Sequence, residues 1–139
     1  MNHTRRDLAA LIPALLAAGA SADTAILPAK TYPFDKLPVK TKGGNQTRAV
    51  LDGETHSGFP IELHVTNLPP GGSPHPPHHH VDEEIICVQE GTMEVTISGN
   101  STRLGPGSVA YVASNLEHGW RNVGGTRAQY FVIALGPKK

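Results

Sequence analysis

The chain has 139 residues, with 12 Lys plus Arg balanced against 12 Asp plus Glu, and only 17% of it is charged. With 38% hydrophobic residues a chain of this length buries one core rather than two, and the lack of a basic patch excludes an electrostatic footprint for nucleic acid. Cys87 is the only cysteine, which excludes an intramolecular disulfide framework.

Residues 1–22 combine a short basic start (Arg5, Arg6), an apolar stretch broken by Pro13, and small-residue cleavage candidates at Ala20 and Ala22. The stretch is too short and too interrupted to span a bilayer, so a signal peptide is expected. Thr4-Arg5-Arg6-Asp7-Leu8 resembles a bacterial twin-arginine export signal, and that resemblance implies a periplasmic or secreted protein with no membrane segment in its mature form. The remaining 117 residues carry a net charge of minus one.

Residues 23–45 hold prolines at 28, 33 and 38, a pattern hostile to helix, together with Tyr32, Phe34, Leu37 and Val39. They are too apolar for a free linker. An extended arm packed on a sheet is expected, either the chain's own or a partner's, and with exposed strand edges this favours a homodimer.

From residue 46 to 137, Gly, Pro and Asn punctuate short β-branched segments, and strands are expected at 46–52, 59–68, 80–89, 92–98, 101–104, 108–112, 117–122 and 127–135. In the second of these, Glu62, His64 and Thr66 alternate with Ile61, Leu63 and Val65. Ordinary burial turns the apolar side inward. If the polar side faces inward instead, Glu62 and His64 become candidates for acid–base work or for hydrogen bonds to a site.

The stretch Gly72 to Gly91 contains His75, His78, His79, His80 and Glu84. On an extended strand successive side chains alternate, so His78, His80 and Glu84 share one face as potential metal ligands while Ile86 and Val88 follow into the core. The odd-numbered His79 and Cys87 point the other way, the latter as packing. His56 sits in a turn and is expected to be solvated, and the direction of His75 is not fixed by its proline-rich surroundings. A second stretch, Gly107 to Asn122, runs from a glycine turn through a β-branched strand to a lone histidine, His118, with Trp120 two positions on as a candidate for the pocket wall or the core.

Together these stretches resemble the two conserved motifs of the cupin superfamily. Gly72, His78, His80, Glu84 and Gly91 satisfy the first in full; Gly107, His118 and Asn122 satisfy the second, with Ala113 in place of its proline and Asn115 in place of its glycine. Asn tolerates the left-handed backbone that the glycine would supply. The resemblance implies an all-β fold, a single jelly-roll β-barrel, with His78, His80, Glu84 and His118 as ligands to one divalent transition metal. Three imidazoles and a carboxylate suit Fe, Mn, Ni, Co, Cu or Zn rather than calcium or magnesium.

The resemblance further implies an oxygenase acting on a small chelating substrate with adjacent oxygens. The fold alone does not select a reaction. A Lewis-acid isomerase, lyase or decarboxylase, or a non-catalytic periplasmic binder of a small carboxylate or sugar acid, fits the same ligands. In the catalytic readings Glu62, His64 and Trp120 are the pocket candidates.

Overall fold

The computed structural model describes residues 25–137; the expected signal peptide lies outside them. Among the described residues nine strands form two antiparallel sheets: β1 (Val39–Lys42), β2 (Asn45–Glu54), β3 (Pro60–Leu68), β4 (Glu83–Glu90), β5 (Met93–Ile97), β6 (Asn100–Leu104), β7 (Val109–Val112), β8 (His118–Asn122) and β9 (Ala128–Leu135). The larger sheet runs β1-β2-β3-β9-β4-β7 and the smaller β6-β5-β8. This is the expected all-β jelly roll.

The core lies between the sheets. Leu68, Ile86, Val88, Val112, Ala128, Tyr130 and Val132 from the larger sheet pack with Met93, Val95 and Trp120 from the smaller. The burial of β9 alternates strictly from Ala128 to Leu135, as a strand with one face in the core requires. At the β4–β5 turn Gly91 has φ +79, and a Cβ there would stand 2.7 Å from the Ala128 Cα. Both the left-handed backbone and the close approach therefore demand glycine.

The extended arm packs on the chain's own sheet: β1 pairs with β2, Lys40 opposite Thr47, and Ile26 forms a parallel bridge to Glu54. A ladder on its own sheet satisfies the arm's backbone groups, which an unpaired segment would leave to solvent.

One expectation needs correction: β4 begins at Glu83 rather than at residue 80. Pro74, Pro76 and Pro77 lack the N–H that a ladder needs, and the His80 Nδ1 donates to the Asp82 carbonyl at 2.9 Å, bending the chain before the strand starts. His78 joins the smaller sheet through an isolated bridge to His118.

Candidate metal centre

Four residues converge at one end of the space between the sheets. His78 and His118 face each other, the His78 N–H donating to the His118 carbonyl at 3.0 Å and the reverse bond measuring 2.8 Å. The loop before β8 is tied to the same segment, because the Asn115 N–H donates to the His80 carbonyl at 2.8 Å. Asn115 has φ 61, the left-handed conformation that Asn accommodates. Asn122, fully buried, closes the far side with bonds from its amide to the Leu68 and Thr126 carbonyls.

The imidazole rings of His78, His80 and His118 form a near-equilateral triangle, with centroids 5.0, 4.9 and 4.8 Å apart. One ring nitrogen from each lies within 4.8 Å of the others. Glu84, on the inward face of β4, reaches two of them: Oε1 is 3.5 Å from His80 Nε2 and Oε2 is 3.3 Å from His118 Nε2. The parity argument reached these residues through a regular strand that is not there. What gathers them is the His78–His118 bridge and the bend at His80.

The protonation of these groups follows from their partners. His118 Nδ1 lies 2.8 Å from the Leu116 carbonyl. A carbonyl only accepts, so Nδ1 carries the hydrogen and Nε2 presents its lone pair to Glu84. His80 is set the same way by the Asp82 carbonyl and by Asp82 Oδ1 at 3.0 Å.

His118 Nε2 and Glu84 Oε2 are both buried without a hydrogen-bond partner. Two acceptors aimed at each other in a desolvated place are unfavourable unless a proton or a metal cation lies between them. Burial, then the neighbouring imidazoles, lowers the pKa of His78; burial is also the first cause of the lowering at His118. Burial raises that of Glu84 against the opposing effect of His80. Burial thus disfavours the charged forms of His78 and His118, as metal ligation requires, and works against ionisation of the Glu84 carboxylate. The donor set fits a borderline divalent ion.

The register decides which face of β3 looks inward. Glu62 is opposite Ala134, and Ala134 is opposite Glu84; His64 is opposite Val132 and Thr66 opposite Tyr130, both core residues. Opposed residues of a ladder share a face. The polar side of β3 is therefore turned inward, against the default of ordinary burial, and only the small Ala134 separates Glu62 from the Glu84 carboxylate. His64 Nδ1 lies 3.1 Å from Glu62 Oε1, with both side chains partly exposed.

Trp120 is almost fully buried and stacks on His118, with centroids 5.4 Å apart and planes at 19°. Its indole N–H donates to the Tyr130 hydroxyl at 2.9 Å, so it forms a rigid floor beneath the His118 ring. His79 and His56 are exposed.

Sequence reasoning missed two contributors and left the direction of a third, His75, open. Asp82 orients His80, and its only signal was a carboxylate two residues after a candidate ligand. Tyr130 anchors Trp120, and burial pushes its phenol pKa well up. His75 lies 4.0 Å from His78 and 5.9 Å from Trp120, ring to ring, a position that depends on how the proline-rich loop folds back.

The Cupin domain family matches residues 64–134. Among individual proteins, the chain is 28% identical over 109 residues to Protein SchB of Streptomyces halstedii, covering 78% of each. Its fold is similar to KdgF from a Halomonas species (TM-score 0.68, 18% identity, 78% of this chain and 96% of the other). It is also similar to the polyketide cyclase RemF from Streptomyces resistomycificus (TM-score 0.66, 22% identity, 78% and 80%). The gathered motifs, the two-sheet barrel and this family match place the chain in the cupin-domain family.

Proposed function

We propose that this cupin is a mononuclear metal-dependent enzyme acting on a small substrate that chelates through adjacent oxygens, with proton removal by His64 as its first chemical task. The observation that carries this reading is the inward Glu62–His64 pair one small residue away from Glu84. A divalent transition metal held by His78, His80, Glu84 and His118 would supply Lewis acidity at the substrate oxygens and, if redox-active, a route for electrons.

The His64 Nδ1–H donates to the Glu62 carboxylate, which leaves the Nε2 lone pair free to accept a proton from an acidic C–H or O–H. Glu62 then stabilises the imidazolium. Trp120 limits movement of the His118 ring by stacking, and Asp82 holds His80 in the tautomer that presents Nε2 inward.

Oxygenase chemistry on a catechol, flavonol, diketone or hydroxy acid is the first form of the proposal. The second is a Lewis-acid isomerase, lyase or decarboxylase, favoured by the same acid–base pair because proton transfer alone completes such reactions. Loading the protein with iron or with zinc separates them. Substrate-dependent oxygen uptake with iron and none with zinc is the expected result; turnover with zinc and no oxygen uptake overturns the oxygenase form, and binding without turnover for either metal overturns catalysis. Export directed by residues 1–22 belongs to the same proposal, and the metal is to be measured in protein taken from the exported fraction.

Assembly as a homodimer is also proposed. The outer face of the larger sheet carries Leu63, Ile85, Phe131 and Ile133, in register with Tyr111 and Val109 on the edge strand β7. Tyr111 and Val109 are 54% and 60% exposed. Four adjacent strands, β3, β9, β4 and β7, contribute to this face, and a standard interface takes ~800 Å² from each partner. A second copy supplies the same flat apolar face about a two-fold axis. Tyr111→Glu is expected to halve the mass measured by light scattering at micromolar concentration. An unchanged mass, or a monomeric wild type, refutes this interface.

A further inference from the structure

The arm strand β1 brings two lysines to a place that the metal chemistry does not use. Lys40 is opposite Thr47, and Thr47 is opposite Thr66. Thr66 is buried and opposite the core residue Tyr130. Opposed residues share a face, so Lys40, and Lys42 two residues on, lie on the inner side of the sheet. Together with Asn45, Thr47, Thr66 and Ser73 they line a cleft of about 450 Å³ between β1–β2 and the start of the His-rich loop.

Every ionisable group lining that cleft is cationic. Among the described residues neither lysine forms an ion pair. The cleft is fixed in shape on both sides: Asn45 Nδ2 donates to the Ser73 carbonyl at 2.8 Å, and the Thr47 and Thr66 hydroxyls lie 3.4 Å apart.

We propose that this cleft is a second, metal-independent binding site for a small oxyanion, a carboxylate or a phosphate. The two ammonium groups supply the charge, and the Thr47 and Ser73 hydroxyls supply hydrogen bonds at its edges. Inward-pointing lysines on an edge strand also discourage edge-to-edge pairing, but that role alone gives no saturable affinity for an anion.

The test is a titration of the full mature chain followed by amide chemical shifts, with inorganic phosphate in one arm and malonate in the other. It is run with and without bound metal, so that anions reaching the metal centre are separated from those in the cleft. Saturable shifts from residue 40 to residue 47 and at Thr66 are expected in both metal states, with a dissociation constant on the order of millimolar. Saturation by malonate alone assigns the site to carboxylates, and by phosphate alone to phosphates.

Lys40→Gln/Lys42→Gln is expected to weaken binding about tenfold or more, and Lys40→Arg/Lys42→Arg to restore it. Both lysines are exposed, so the variants keep the fold, which their amide spectra verify. Equal affinity in the Gln variant, shifts confined to the segments around His78 and His118, or no saturation in either arm overturns the proposal. None of these outcomes bears on the metal centre, whose own test is metal content.

Discussion

Glu84→Gln is expected to lower affinity for a divalent first-row metal by more than the ~10- to 100-fold that residues behind the ligands typically contribute. It does so by replacing an anionic oxygen donor with a neutral amide at the point where His80 and His118 converge. In the metal-bound state the variant loses stability. A ligand at ~100 times its dissociation constant stabilises by ~2.7 kcal/mol, worth about 10 °C or more in melting temperature for a domain of this size, and that increment disappears.

In the metal-free state the sign reverses. Glu84 Oε2 and His118 Nε2 face each other as buried, unpartnered acceptors, whereas a glutamine amide can donate to the imidazole lone pair. A gain of about 1 kcal/mol is expected from that new hydrogen bond. Thermal unfolding of both proteins, with metal and after chelation, checks the two signs together. Retention of one tightly held equivalent by the variant would refute the metal centre, and a metal-free variant less stable than metal-free wild type would refute the acceptor–acceptor contact.

His64→Gln is expected to reduce kcat by ~10²–10⁴, the usual contribution of a positioned general base, equivalent to ~3–5 kcal/mol in the barrier. Metal content and KM should change little, because His64 stands outside the imidazole triangle and acts on the substrate proton. Glu62→Gln should cost less, since the amide oxygen still accepts from His64 Nδ1 but no longer stabilises the imidazolium by charge. The split is the informative readout. A fall in metal content with activity would make His64 a positioning residue for Glu84, and a kcat within threefold of wild type in both variants would remove the pair from the mechanism.

The spacing of the two motifs was legible because local geometry sets it. Glycines at 72, 91 and 107 mark where the chain turns, alternation sends Glu84, Ile86 and Val88 to one face, and the resemblance to the second cupin motif singles out His118. Turns and alternation are short-range properties that indicated short strands; the resemblance of the two motifs to the cupin pattern implied the barrel and its four candidate ligands. The arm's composition likewise showed that it would pack in extended form.

Only the tertiary structure decided the rest. Whether Glu62 and His64 look inward depends on the register of β3 against β9, a long-range pairing that alternation within one strand cannot express, since both faces of β3 are chemically coherent. That β1 pairs with its own sheet, and that Asp82, Tyr130 and His75 back the ligands, also follows from contacts between distant segments. The convergence of His78, His80 and His118 rests on a cross-strand bridge and a bend rather than on strand parity. Parity is written in the local sequence; bridges are settled only when the two sheets close on a common core.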